Sequence, residues 1–215
     1  MTNYIASMAA AAVLLTGACH AADTPPASKP AAAKPAAAAP TAAATPPSAA
    51  IPRWVQAPGS SLTFTFDQAG AASKGSFKQF STELAYDEKS PAAGSLNVKV
   101  QIATIDTQDQ ERNDMLVSAD LFDAQKFPTA QYTASKLART AAGGIEAVGK
   151  PTLRGVTRDL RLPLKIVPTT TGLELSGATA IKRLDYGVGQ GDWKSTEGVS
   201  DEVKIQYKVA LVRAK

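Results

Sequence analysis

Beyond residue 51, apolar side chains recur at every second position over much of the chain. Leu62, Phe64 and Phe66 alternate with Thr63 and Thr65, and Val98, Val100 and Ile102 with Asn97, Lys99 and Gln101. Leu160, Leu162, Leu164 and Ile166 alternate with Arg161 and Lys165. Val203, Ile205, Tyr207, Val209 and Leu211 alternate with Lys204, Gln206 and Lys208. A period of two sends successive side chains to opposite faces of a strand. Weaker runs of the same kind cover 76–86, 129–137, 145–155 and 173–183. Pro58-Gly59, Ser90-Pro91 to Gly94, Gly143-Gly144, Pro168 to Gly172 and Gly187 to Gly191 punctuate them as turns. The pattern predicts about eight antiparallel strands, each with one apolar and one wet face.

Residues 106–127 break the period. Thr107 or Asp109 can cap a helix start, and Met115, Leu116 and Ala119 then share a helical face. Phe122 and Phe127 follow, and Pro128 stops the segment. The expectation is an all-β, antiparallel eight-stranded barrel with one short helix covering an end. Closure removes the exposed edges of a flat sheet. An eight-strand barrel has room for packed side chains or one small ligand.

Composition then narrows the chemistry. The chain has 215 residues, a single His and a single Cys. The two are neighbours, Cys19 and His20, so the stretch from 51 onward has neither. That stretch lacks the imidazole or thiol of a Ser-His-Asp or Cys-His nucleophile. It lacks the usual zinc ligands as well. Carboxylate, lysine or hydroxyl chemistry is left, or none. The densest acidic cluster is Asp106, Asp109, Glu111 and Asp114, which reads as a solvated helix surface. A catalytic pair there would need one carboxyl held neutral in a cleft. Residues 51–215 carry 21 Lys and Arg against 18 Asp and Glu, a net charge of +3 without a basic stripe. Nucleic acid is therefore not an expected partner. The spacing Gly187-x-Gly189-x-Gly191 resembles a phosphate loop only superficially, because no strand-to-helix context surrounds it.

The first 50 residues divide in two. Residues 1–21 read as a signal peptide. Ile5 to Ala18 is a 14-residue apolar or small stretch, shorter than the ~20 residues of a membrane span. Cleavage after Ala21 would release a soluble protein. Alternatively, Leu15-Thr16-Gly17-Ala18-Cys19 resembles a bacterial lipobox, with Cys19 as the lipidation site and membrane tether. Residues 22–50 hold 14 Ala and seven Pro, a composition expected to give a disordered spacer. Residues 51–215 form the barrel domain. The expected location is the periplasm, either free or lipid-anchored.

Five stretches in order carry a resemblance across about residues 52–214. They are Trp54-Val55-Gln56 with Ser60 to Phe64; Lys74-Gly75-Ser76-Phe77-Lys78-Gln79-Phe80; Arg112 to Leu116 with Asp120 to Asp123 and Phe127-Pro128; Gly149 to Arg158; and Arg183 to Gly189 with Trp193 and Val199 to Val203. Together they resemble the YceI-like family of exported, lipocalin-like, polyisoprenoid-binding proteins. The resemblance implies a non-catalytic carrier or storage protein. An apolar lipid, isoprenoid or quinone-like, would lie in the barrel, with no other cofactor and no metal. The alternative is a packed, stress-related or structural barrel acting through protein contacts. The expected apolar pocket is Phe66, Phe80, Val98, Val100, Ile102, Leu116, Phe122 and Phe127. Arg112, Asp114, Arg154, Arg183 and Trp193 are the expected rim or head-group residues, although a structural pairing of Arg154 or Arg183 with a carboxylate such as Asp185 competes. A second copy of the chain is a further candidate partner.

Overall fold

A computed structural model describes residues 51–215. The expected signal peptide, the expected Ala/Pro spacer and Cys19 lie outside the described residues. Twelve strand segments make one antiparallel sheet: β1 (Arg53–Gln56), β2 (Ser61–Gln68), β3 (Ala71–Phe77), β4 (Phe80–Ala85), β5 (Ser95–Gln101), β6 (Ile105–Asp106), β7 (Thr129–Arg139), β8 (Ile145–Leu153), β9 (Val156–Thr157), β10 (Leu160–Pro168), β11 (Leu173–Lys182) and β12 (Val199–Arg213). The one α-helix among the described residues is α1 (Gln110–Val117), between β6 and β7.

The segments collapse to eight long strands in an up-and-down meander. β1 and β2 are one strand kinked at 57–60. The long β12 pairs with both, through Leu211 to Arg213 on β1 and through Val203 to Lys208 on β2. The kink forms at Pro58-Gly59. There the Ser60 hydroxyl donates to Ala57 O at 2.8 Å and accepts from Ala210 N at 3.1 Å, keeping β12 attached across the break. β3 and β4 form the second strand and β5 and β6 the third. Their bends sit side by side, joined by Lys78 N to Thr104 O and Gln79 N to the Thr104 hydroxyl, both at 3.0 Å. The β1–β12 pairing closes the ring. The barrel is thus closed, eight-stranded and antiparallel.

One end is solid. Leu84, Leu96, Leu137, Ala147, Leu175 and Leu211 are at most 2% exposed and pack together with Leu164 and Leu173. At the other end Phe64, Phe66 and Ile105 pack with Phe77, Leu116, Val117 and Phe122. Asp109 caps α1, accepting from Arg112 N at 3.1 Å. Thr107 instead bonds Asn113 Oδ1 through its amide and its hydroxyl, each at 2.8 Å. The helix is shorter than the break in periodicity suggests. Ala119 lies beyond it, and Met115 is 42% exposed.

Candidate ligand-binding site

Between the two packed ends lies an apolar cavity of about 240 Å³. Strand alternation builds it. Phe80 on β4, Val98 and Val100 on β5, Leu160 and Leu162 on β10, and Ile205, Tyr207 and Val209 on β12 all face inward. α1 contributes Arg112, Met115 and Leu116 at the helical end. At the solid end Leu96 underlies the cavity. Thr82, Tyr132 and Val209 belong to the lining, whereas the next inward residues, Leu84, Ala134 and Leu211, are part of the packed end. That layer is the floor.

Gly75 shapes the wall. It lies opposite Phe64 across the β2–β3 pair, and a Cβ there would stand 2.3 Å from Phe64 Cζ. Its bare Cα lets the ring lie flat against the sheet, 6.1 Å from the Phe66 ring and 5.4 Å from Phe77.

Seven of the eight residues expected in an apolar pocket line this cavity: Phe66, Phe80, Val98, Val100, Ile102, Leu116 and Phe122. Phe127 does not. It sits half-buried in a turn closed by Phe127 N to Asp123 O at 2.8 Å. Its ring lies against Gly155, whose Cβ would be 2.8 Å from it, and Lys126 Nζ stands 5.3 Å from its centre. An apolar residue just before a proline carries no parity from a neighbouring strand, so its sequence does not say which way it faces.

The rim residues divide similarly. Trp193 and Arg112 border the cavity, and Arg112 pairs with Asp109 at 3.4 Å. Asp114 is outside it, accepting from Gln110 Nε2 at 2.8 Å on the exposed helix face. Arg154 is also outside. It occupies the β8–β9 turn with φ +50°, a strained position for a side-chain-bearing residue. Its guanidinium donates to Ala119 O at 2.7 Å and to Gly187 O, tying the segment after α1 to the 187–190 loop.

Arg183 borders the cavity but is spent on the fold. It is 5% exposed. The expected pairing with Asp185 is not formed. All five guanidinium N–H groups go to backbone carbonyls: Nε to Ser200, Nη1 to Val188 and Trp193, Nη2 to Ser195 and Val199, at 2.6–3.1 Å. Burial lowers its pKa, opposed by the nearby Asp201 carboxylate. The side chain is the pin around which the 188–200 loop is wound.

The acidic cluster serves local structure. Asp106 pairs with Lys78 at 2.8 Å and accepts from Gln108 N at 2.8 Å. The hydrogen bond from Lys78 is the main cause holding its carboxyl below the usual range, the reverse of what a general acid requires. Asp109 caps α1 and Asp114 bonds Gln110. None of the cluster lines the cavity.

Three inward side chains carry a polar group, and of these only Tyr207 is named in the apolar alternation. The Tyr132 hydroxyl donates to Ala147 O at 2.8 Å and to Leu160 O at 3.1 Å. The Tyr207 hydroxyl donates to Pro163 O across Gly177. Thr82, 2% exposed, has a hydroxyl oxygen with no hydrogen-bond partner. A signal was available, since Thr82 holds the inward parity between Phe80 and Leu84.

A closed antiparallel barrel with an apolar cavity above a packed floor belongs to the class of small-ligand-binding barrels. The family model for the YceI-like domain matches residues 54–211, and the chain belongs to that family. It is 32% identical over 149 residues to UPF0312 protein YE1254 of Yersinia enterocolitica, covering 66% of this chain and 74% of that one. It is 34% identical over 93 residues to Protein YceI of Escherichia coli, a match spanning 43% of this chain and 48% of the relative. Among solved structures, BcnA of Burkholderia cenocepacia superposes with a TM-score of 0.67 at 29% identity, over 70% of this chain and 94% of that one. A polyisoprenoid binding domain from Saccharophagus degradans superposes with a TM-score of 0.62 at 16% identity, over 76% of this chain and 99% of the domain. At that identity the likeness is one of fold.

Proposed function

We propose that this chain is a non-catalytic carrier or storage protein that holds one long apolar molecule, of isoprenoid or quinone-like class, inside its barrel. The observation that carries the reading is the 240 Å³ apolar cavity between a packed floor and the helical end. An apolar cavity of about 150 Å³ already accepts a benzene-sized guest. Each Å² of apolar surface withdrawn from water is worth ~25 cal/mol, without any specific chemistry. Membership of the YceI-like family supports a barrel of the binding type, and the acidic cluster, with Asp106, Asp109 and Asp114 engaged in local bonds and all four carboxylates off the cavity lining, is not placed to act on a cavity ligand.

The test is native mass spectrometry of the purified protein, followed by solvent extraction and mass analysis of the extract. An apolar lipid should travel with the wild type. It should be lost in Val98→Phe, which fills the cavity, and kept in Lys99→Ala on the outer face, with both variants matching the wild-type circular dichroism. A wild-type barrel that purifies empty and takes up no added prenyl lipid would overturn the reading and favour action through protein contacts.

Export to the periplasm is part of the same proposal, supported by the apolar stretch from Ile5 to Ala18. Labelled palmitate incorporation that disappears in Cys19→Ala would assign the lipid-anchored form. Its absence, with the protein recovered from the periplasmic fraction, would assign soluble release.

A further inference from the structure

The floor of the cavity holds a polar atom that the fold does not use. Thr82 lines the cavity, is 2% exposed, and its Oγ1 has no hydrogen-bond partner. Buried hydroxyls are nearly always bonded, because leaving one dry in an apolar interior is unfavourable. On β4 the lining ends at Thr82. Phe80, two residues nearer the helical end, faces open cavity, while Leu84, two residues further in, is packed solid. Its cross-strand neighbour is Val98, whose own neighbour is Tyr132. A valine at position 82 would fill the same space without the unmet hydroxyl.

The surroundings limit what could meet that hydroxyl. The Tyr132 and Tyr207 hydroxyls at the same depth donate to backbone carbonyls. The cationic side chains on the lining, Arg112 and Arg183, are committed to Asp109 and to five backbone carbonyls. The floor therefore offers no cation for a charged group, and an unpaired charge buried there would be strongly disfavoured. A threonine hydroxyl can both donate and accept, so it suits a neutral group such as a hydroxyl or a carbonyl.

Building on the carrier reading above, we propose that Thr82 is a specificity-determining residue. After a turn about its χ1 that brings the hydroxyl to the cavity surface, it hydrogen-bonds a single neutral polar group of the ligand at the cavity floor, so that the ligand lies with this group innermost and its hydrocarbon chain running towards the helical end. The barrel then selects prenyl alcohols or carbonyl-bearing prenyl lipids over phosphorylated ones, whose charge this floor cannot hold.

Three probes of matched chain test this: farnesol, the hydrocarbon farnesene and farnesyl diphosphate, titrated into delipidated wild type and Thr82→Val. Wild type should bind farnesol about tenfold more tightly than farnesene, ~1.4 kcal/mol, and the diphosphate more weakly than either. Thr82→Val should abolish the preference for farnesol while leaving farnesene binding unchanged. Without ligand, Thr82→Val should unfold at an equal or higher urea concentration than wild type, which shows that the variant folds and that the hydroxyl does not serve the empty barrel. Wild type binding all three probes with a farnesol preference that survives Thr82→Val would overturn the assignment and leave the carrier reading intact. So would a diphosphate bound as tightly as the alcohol, which would put the polar group at the helical end. Wild type binding none of the three would overturn both.

Discussion

Gly189 and Arg183 fit each other at the closest approach in the 188–200 loop. A Cβ on Gly189 would lie 2.1 Å from Arg183 Nη1 and 2.7 Å from Trp193 O, the carbonyl that this nitrogen donates to. Gly189 also has φ +120°, a region that a side chain excludes. Gly189→Ala should destabilise the protein by about 3 kcal/mol, combining backbone strain with displacement of the guanidinium. Arg183→Lys should cost at least as much. An ammonium has three donors for five carbonyls, and each partly buried carbonyl left unmet costs ~1–3 kcal/mol. Urea unfolding of the two variants checks both. A lysine variant as stable as wild type would show that the loop does not depend on the fork.

The cavity and its floor should answer truncation differently. Leu84 is 1% exposed and packed on all sides. Leu84→Ala should cost about 2–5 kcal/mol, the range for a buried leucine whose space is not refilled. Phe80 is only half-buried and faces the cavity. Phe80→Ala should cost less, despite removing a larger group, because part of its surface has no packed neighbour to lose. Chemical denaturation ranks them, and a reversed order would mean that the interior around Phe80 is filled.

Phe122 and Phe127 provide a second contrast. Phe122 lines the cavity with its ring 6.3 Å from Phe77, whereas Phe127 lies outside against Gly155. Phe122→Ala should weaken binding of a prenyl probe several-fold, while Phe127→Ala should leave it unchanged and lower stability only. Titration of both variants with one fluorescent prenyl probe distinguishes the two effects.

Strand parity carried most of the architecture into the sequence. The runs around Phe64, Val98, Leu162 and Tyr207 fall in β2, β5, β10 and β12 with the anticipated faces inward. Where parity holds, lining residues are legible, as for Phe66, Phe80, Val98 and Val100. Where it lapses they are not. Phe127 lies in a turn, so its apolar character says nothing of direction. Arg154 and Arg183 are legible as unusual but not as latches, because their partners are backbone carbonyls that no side-chain pattern marks. Thr82 escapes for a different reason. In a strand a threonine reads as polar and outward, and only the parity set by Phe80 and Leu84 identifies it as inward. The break at 57–60 is marked by Pro58-Gly59 and keeps the inward parity of Trp54 and Leu62, whereas at 78–79 the inward set steps from Phe77 to Phe80, a change of parity that a single weak run over 76–86 hides.

Alkaline pH should loosen the barrel through its two inward tyrosines. Burial is the main cause raising the Tyr132 pKa to about 12, with the Glu146 carboxylate adding to it. Burial also raises Tyr207, with Tyr132 adding. Tyrosine in an unfolded chain titrates near ~10. The folded protein therefore holds these protons more tightly than the unfolded one. The stability this contributes is complete below about pH 10 and is lost as pH rises towards 12. The structural cause is direct. Each hydroxyl donates to backbone carbonyls of the neighbouring wall, Tyr132 to Ala147 and Leu160, Tyr207 to Pro163. A phenolate cannot donate, and its charge would face those same oxygens in an apolar cavity. The urea midpoint should be flat from neutral pH to about pH 10 and then fall. Tyr132→Phe should cost about 1 kcal/mol at neutral pH through the lost hydrogen bonds, and its alkaline decline should be shallower than that of wild type. An equally steep decline in Tyr132→Phe and Tyr207→Phe would assign the alkaline transition to groups outside the barrel interior.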